Sequence, residues 1–177
     1  MNKIEKILDY SVVDEKEIPS IPLYMDQLTF LLEDNLSKLN RNDGDKTLTK
    51  TMINNYVKGK VVEAPLKKKY TKDQIMKLTM IYQMKNVLSI SDLKIFFDVI
   101  GKSDETIDKY YGYYKSEQIR VSKEMERFKS VVGKLKEIDE KELVSSDIDK
   151  NIIKEVISLS IEADLKRRIS ELLIDSL

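Results

Sequence analysis

At 177 residues, 41% hydrophobic and 35% charged, the chain can form one domain of ordinary size or a small head with an oligomerisation tail. Cysteine and histidine are both absent, which excludes disulfides, thiolate catalysis, imidazole base chemistry and every common zinc site. Only five glycines and three prolines punctuate it, so long helices are expected rather than many turns: an all-α fold with a small wing.

No apolar run approaches the roughly 18 residues of a membrane span, and the start lacks the basic and apolar stretches of a signal peptide. A cytoplasmic protein with no membrane partner is expected. The 31 basic and 31 acidic groups cancel in total but not locally. Residues 1–45 carry 5 basic and 10 acidic groups, residues 46–77 carry 9 and 2, and residues 78–177 carry 17 and 19. Positive charge is therefore concentrated in one short stretch, while a zero total gives weak long-range attraction to nucleic acid.

In chain order, residues 1–21 read as a polar lead whose apolar cluster is Ile4, Ile7 and Leu8, enough for one short helix. Pro19 and Pro22 mark a boundary. From Tyr24, the spacing of Leu28, Leu31, Leu32, Leu36 and Leu39 predicts an amphipathic helix with Pro22 tolerated at its start. The polar run 40–46 interrupts before a second amphipathic segment over 49–58. There Met52, Ile53, Tyr56 and Val57 share one face, leaving Lys50, Thr51, Asn54, Asn55 and Lys58 outward. Lysine neutralises phosphate, and asparagine offers a donor and an acceptor side by side, which suits adenine. A non-helical run from Gly59 to Tyr70 follows, holding Lys60, Pro65, Lys67, Lys68 and Lys69. Thr71 with Gln74 then reads as a capping box opening a helix to Asn86, and Ser89 with Asp92 opens the next.

Helix, basic loop, capped helix, capped helix is the order of a winged helix-turn-helix reader, and the stretch resembles the DNA-binding head of MerR-type regulators. The matching positions are Thr51, Met52, Ile53 and Tyr56 in the recognition helix, and Val61, Val62 and Pro65 in the wing. Tyr70, Thr71, Asp73 and Ile75 follow, with Leu88 to Leu93 at the turn into the fourth helix. Over most of the first hundred residues the chain is more similar to a bacterial family of unknown function with the same head. It departs from the MerR-type pattern where Asn54 and Asn55 stand in the region of an arginine, and where residues 40–46 lengthen a normally short turn. The lengthened turn implies looser packing between the first two helices of the head.

After Gly101, Ser103 reads as an N-cap with Asp104 and Glu105 in the first turn. Ile107, Tyr111, Tyr114, Gln118, Val121, Met125, Phe128, Val132 and Leu135 recur at alternating spacings of four and three, the pattern of a coiled-coil or bundle seam. A loop over 139–145 leads to Ser146 and Asp149, capping a last helix with a broad apolar stripe from Ile152 to Leu173. A hairpin of 103–138 against 147–177, paired with a second copy, buries both stripes. The same seam would also serve as core within one chain.

The division expected is a lead (1–21), a winged helix-turn-helix head (22–102) and a helical dimerisation region (103–177). The function expected is a sequence-specific transcriptional regulator, a homodimer on an inverted-repeat operator in double-stranded DNA. Lys50, Thr51, Asn54, Asn55 and Lys58 would enter the major groove, and Lys60, Lys67, Lys68 and Lys69 would hold the neighbouring backbone, although a lysine triplet alone is more often a solvated loop. The dimer would close through Ile107, Tyr111, Tyr114, Val121, Met125, Phe128, Val132 and Leu135. No catalytic pair, cofactor or metal site is expected. The alternative is an adaptor whose degenerate head contacts proteins.

Overall fold

The computed structural model describes residues 3–42, 44–126, 128 and 146–177. Helices dominate: α1 (Lys3–Leu8), α2 (Met25–Leu36, continued by a 3-10 turn over Ser37–Leu39), α3 (Lys50–Lys58), α4 (Lys72–Met84), α5 (Ile90–Lys102), α6 (Ile107–Glu124) and α7 (Ser146–Ile174). Among the described residues one small antiparallel sheet joins β1 (Leu23–Tyr24) to β2 (Lys69–Tyr70). No helix among the described residues is long and apolar enough to cross a membrane.

The caps read from sequence for α4 and α5 form as expected. Thr71 Oγ1 accepts from the Gln74 N–H, and Gln74 Oε1 from the Thr71 N–H. Ser89 and Asp92 make the same reciprocal pair at α5. These bonds satisfy amides that have no partner inside the helix, each cap contributing about 1 kcal/mol.

The α2 helix starts later than Pro22 suggests, because Leu23 and Tyr24 are taken up by pairing with Tyr70 and Lys69. Its buried face is Leu28, Leu32 and Leu36, each side chain contributing about 2 kcal/mol by leaving water. The longer connection after α2 is fastened at several points. Thr47 donates through its N–H and Oγ1 to Glu33 Oε2 at 3.1 and 2.8 Å, and Asn40 Oδ1 accepts from the Tyr82 hydroxyl at 2.6 Å.

The α4 helix lies at the centre and is buried from Gln74 to Tyr82, not on one face alone. With α2 and α6 packed on it, no side is left for solvent. Its polar residues are consequently paired inward: Gln74 Nε2 donates to the Glu63 carbonyl at 2.7 Å, and Lys77 pairs with the Glu63 carboxylate.

The N-terminal residues contribute more than a polar lead. Tyr10, Val12 and Ile18 are buried in the core, and residues 10–14 lie along α6. The Tyr111 hydroxyl donates to the Val13 carbonyl at 3.0 Å, Lys115 pairs with Asp14, and Gln118 Nε2 donates to the Tyr10 carbonyl at 3.1 Å. Spacings of four and three put these three residues on one face of α6. The hydrogen bond from Lys115 holds the Asp14 carboxyl down at about 2.

Ser103 is not the cap of α6. Its hydroxyl donates to the Ile100 carbonyl and accepts from the Glu105 N–H, so it closes the bend after α5, and α6 begins at Ile107 behind Thr106. Ile107 and Tyr111, expected at a dimer seam, are buried in this chain's own core, and Tyr114 is packed against it. Val121, Met125 and Phe128 remain beyond that packed region, while Val132 and Leu135 lie outside the described residues. The α6 helix ends at Glu124, Phe128 is again helical, and the rest of the helix expected over 103–138 lies outside the described residues. Much of the expected contact between the 103–138 helix and the last helix falls outside the described residues; among those described, α7 packs against α5 and α6 packs against α4.

Candidate nucleic-acid interface

The α3 helix forms where Thr49 caps it, its Oγ1 accepting the Met52 N–H at 3.2 Å. Ile53 and Tyr56 are buried, with Met52 and Val57 partly so, while Lys50, Thr51, Asn54, Asn55 and Lys58 all face solvent. Burial pushes the Tyr56 hydroxyl above its ordinary range. The outward row expected from the sequence is therefore assembled on one short helix. One of its members is engaged: Lys50, at the first position of α3, pairs with Asp26 in the first turn of α2. Sequence reasoning missed this acid, because helical periodicity says nothing about which side chain of a different helix stands opposite.

The end of α3 is turned by Lys60. The Val61 N–H donates to the Tyr56 carbonyl and the Lys60 N–H to the Val57 carbonyl, which is a Schellman ending, and Lys60 takes the left-handed position at φ 58°. Glycine usually fills that position. Gly59, one residue earlier, has φ −73°, and its role is space: a Cβ there would come 2.8 Å from Ile90 Cγ2 at the start of α5.

The same substitution of lysine for glycine recurs at the tip of the loop. Lys67 and Lys68 have φ 50° and 65°, and the Lys69 N–H donates to the Leu66 carbonyl at 2.9 Å. Positive φ at both central residues marks a two-residue hairpin turn of type I′, which ordinarily holds Asn-Gly. Each left-handed non-glycine residue costs about 1 kcal/mol or more, and such strain tends to persist at functional sites. All three positive-φ residues described are lysines of the basic stretch, and no described glycine has positive φ.

The loop is held at both roots. Val61 and Val62 are buried on one side, and Tyr70 is buried on the other, where burial raises its hydroxyl. Behind the loop, Glu63 is stapled to α4 by Gln74 and Lys77 as described above. The Lys77 side chain is only 11% exposed, and its ammonium also lies 5.7 Å from the Phe97 ring centroid. Lys69 Nζ stands 4.7 Å from the ring centroid of Tyr24 across the sheet. Tyr24, Asp26, Glu63 and Lys77 are thus the site residues that spacing did not reveal. In the sequence, Lys77 offered one hint, a charge within an otherwise apolar helical pattern.

Lys60, Lys67 and Lys68 are exposed and Lys69 is half-buried, so the loop lysines and the outward row of α3 belong to one connected segment running from residue 50 to residue 69. Chemically the segment presents ammonium donors for phosphate oxygens, together with two amides able to pair with a base edge.

A family model described as a domain of unknown function (DUF1836) matches residues 13–116. The match takes in α2 to α5 and ends in α6 just past Lys115, leaving α7 beyond it. No curated protein and no solved structure matches the chain.

Proposed function

The chain belongs to the DUF1836 family, and we propose that it is a sequence-specific DNA-binding transcriptional regulator acting as a dimer on an inverted-repeat operator. The observation that carries this reading is the outward row of α3, Lys50, Thr51, Asn54, Asn55 and Lys58, continuous with a basic hairpin whose strained positions are all lysine. In this reading α3 lies in the major groove with Asn54 and Asn55 on base edges. Lys60, Lys67, Lys68 and Lys69 neutralise phosphates beside it, so that the backbone contacts set the register and the asparagines supply the readout. The hairpin then serves as the wing of a MerR-like head. Dimerisation through the C-terminal region sets the spacing of two such heads, and the apolar stripe of α7 supports it. Ile153, Ile157, Ile161, Leu165 and Ile169 recur every four residues, and each is more than half exposed.

The test is fluorescence anisotropy of a labelled duplex from the promoter region of its own gene, titrated with full-length protein at several salt concentrations. Specific binding should survive excess random duplex and weaken linearly with salt on logarithmic axes. Asn54→Ala and Asn55→Ala should lose sequence preference, whereas Lys68→Ala should weaken all sequences alike and lower the slope by about 1. Equal binding by all three variants would refute the contact scheme. The engaged Lys50 and the bare α7 stripe also suit a second reading, a protein adaptor. That reading requires no DNA binding at low salt and one stoichiometric protein partner insensitive to nuclease.

A further inference from the structure

Where the short α1, the end of α4 and the later turns of α6 meet, the molecule leaves a cleft of about 440 Å³. Ile7 and Leu8 of α1, Met84 and Val87 at and just past the end of α4, and Val121 and Met125 at the end of α6 supply its apolar walls. Ile7, Val87 and Val121 are 37%, 38% and 40% exposed. An apolar residue exposed singly calls for no explanation. Here three of them, from segments far apart in the sequence, stand open around one hollow, which is the arrangement of a ligand site.

Two polar groups on the walls are oriented by neighbours so that each keeps a donor spare. Gln83 Oε1 accepts from the Tyr114 hydroxyl, and its amide nitrogen has no partner among the described residues. Ser122 Oγ accepts from Gln118 Nε2 at 2.9 Å, and its hydroxyl hydrogen has no acceptor among them. The Gln118 amide is fixed in that sense because the same Nε2 donates to the Tyr10 carbonyl at 3.1 Å. Glu117, the charged side chain of the described lining, is already held by Arg120 at 2.7 Å.

Size narrows the occupant. A single helical turn about 10 Å across and 5.4 Å high takes about 420 Å³, so the cleft would hold little more than one turn of a partner protein. A whole small molecule fits, since ligand sites run from about 300 to 1,000 Å³.

We propose that this cleft is a binding site for a neutral, mostly apolar small molecule carrying a carbonyl oxygen. The apolar body lies among Leu8, Met84 and Met125, and the carbonyl accepts from Gln83 Nε2 or from the Ser122 hydroxyl. A charged ligand would leave water for walls that offer no free counter-charge, which is unfavourable. Because α1 forms one wall and Gln118 links Ser122 to the Tyr10 carbonyl, occupancy also fastens the N-terminal residues against α6. The site is separate from α3 and the basic hairpin, and the proposal does not depend on the DNA-binding reading.

The experiment titrates full-length protein with decan-2-one, decanoate and decylamine, which share a chain length and differ in charge. Proton–carbon spectra of the methionine methyls and amide hydrogen exchange follow the binding. With decan-2-one the Met84 and Met125 methyls should shift to saturation at one molecule per chain. The Asp9 and Tyr10 amides, which bond back to Glu5 and Ile7, should exchange about threefold more slowly at a ketone concentration twice the dissociation constant. Decanoate and decylamine should bind at least tenfold more weakly. Val87→Phe and Val121→Phe fill the cleft from two walls, and each should abolish the shifts while melting like the wild-type protein, since both positions are partly in solvent. Ser122→Ala should weaken binding by about threefold to tenfold. If decan-2-one shifts neither methyl, or shifts both equally in the two phenylalanine variants, the proposal fails. Tighter binding of decanoate or decylamine overturns the assignment of a neutral ligand. Shifts that follow protein concentration rather than ketone identify a second copy as the occupant and overturn it as well.

Discussion

Asp26, in the first turn of α2, holds Lys50, the first residue of α3, in an ion pair that spans the two helices on the solvent side. Both side chains are mostly exposed, so the pair contributes little to stability. It also places a carboxylate beside the row of residues offered to DNA, where it competes with phosphate for Lys50.

Asp26→Asn should therefore tighten DNA binding by several-fold, within the energy of about 1 kcal/mol or less that an exposed pair represents. The logarithmic salt slope should steepen by about 1 as Lys50 becomes free to neutralise a phosphate. Titrations of the variant and the wild-type protein across a salt series measure both quantities.

The left-handed lysines set stability against binding. Replacing Lys67-Lys68 by Asn-Gly relieves both positive-φ positions of the hairpin tip and should raise unfolding stability by about 1–2 kcal/mol, and Lys60→Gly by about 1 kcal/mol or less. DNA affinity should fall in each case as phosphate contacts are removed. Urea unfolding together with anisotropy on the same samples checks the opposed signs.

Buried tyrosines make the fold sensitive to alkali. Burial, with a smaller contribution from Tyr82, pushes the Tyr10 hydroxyl from its ordinary 10.0 up to about 12, and burial raises Tyr111 and Tyr114 further in the same direction. Between pH 10 and 12 the unfolded chain sheds protons that the folded chain keeps. Stability should be unaffected by these groups below pH 10 and fall above it, by up to about 1.4 kcal/mol per pH unit for each of Tyr10 and Tyr111. Urea midpoints at pH 8, 10 and 11, with tyrosinate absorbance recorded in parallel, report both events. Tyr111→Phe removes one titrating group and should flatten the decline, while costing about 1 kcal/mol at neutral pH for the bond to Val13.

Ile161 and Leu165 lie at 56% and 55% exposure near the middle of the α7 stripe. If the stripe pairs two copies, Ile161→Asp with Leu165→Asp should convert a dimer into a monomer in sedimentation equilibrium, leaving the melt of the α2 to α6 core unchanged at concentrations where both proteins are monomeric. Binding to an inverted repeat should weaken by orders of magnitude, while half-site binding is retained, because the effective concentration of the second head is lost.

What the sequence determined by itself was local. The Thr71–Gln74 pair and the Ser89–Asp92 pair announce helix starts because capping joins residues three apart. The inward and outward sides of α3 follow from a period of 3.6 residues, so its row of Lys50, Thr51, Asn54, Asn55 and Lys58 was legible in full. Tertiary structure decided what covers each face. The heptad pattern through Ile107, Tyr111, Tyr114 and Gln118 identifies residues that share a side of one helix. It cannot say that residues 10–14, nearly a hundred positions earlier, would lie along that side and α4 beside them. Periodicity likewise marks α4 as amphipathic, whereas its neighbours bury it on every side from Gln74 to Tyr82. The pairing of Tyr24 with Lys69, the opposition of Asp26 to Lys50, and the positive φ of Lys60, Lys67 and Lys68 arise only when distant segments close on one another. Such closure overrides the local preference that would have put glycine at the turns, because burial of Val61, Val62 and Tyr70 at the roots of the loop outweighs about 1 kcal/mol of strain at each lysine.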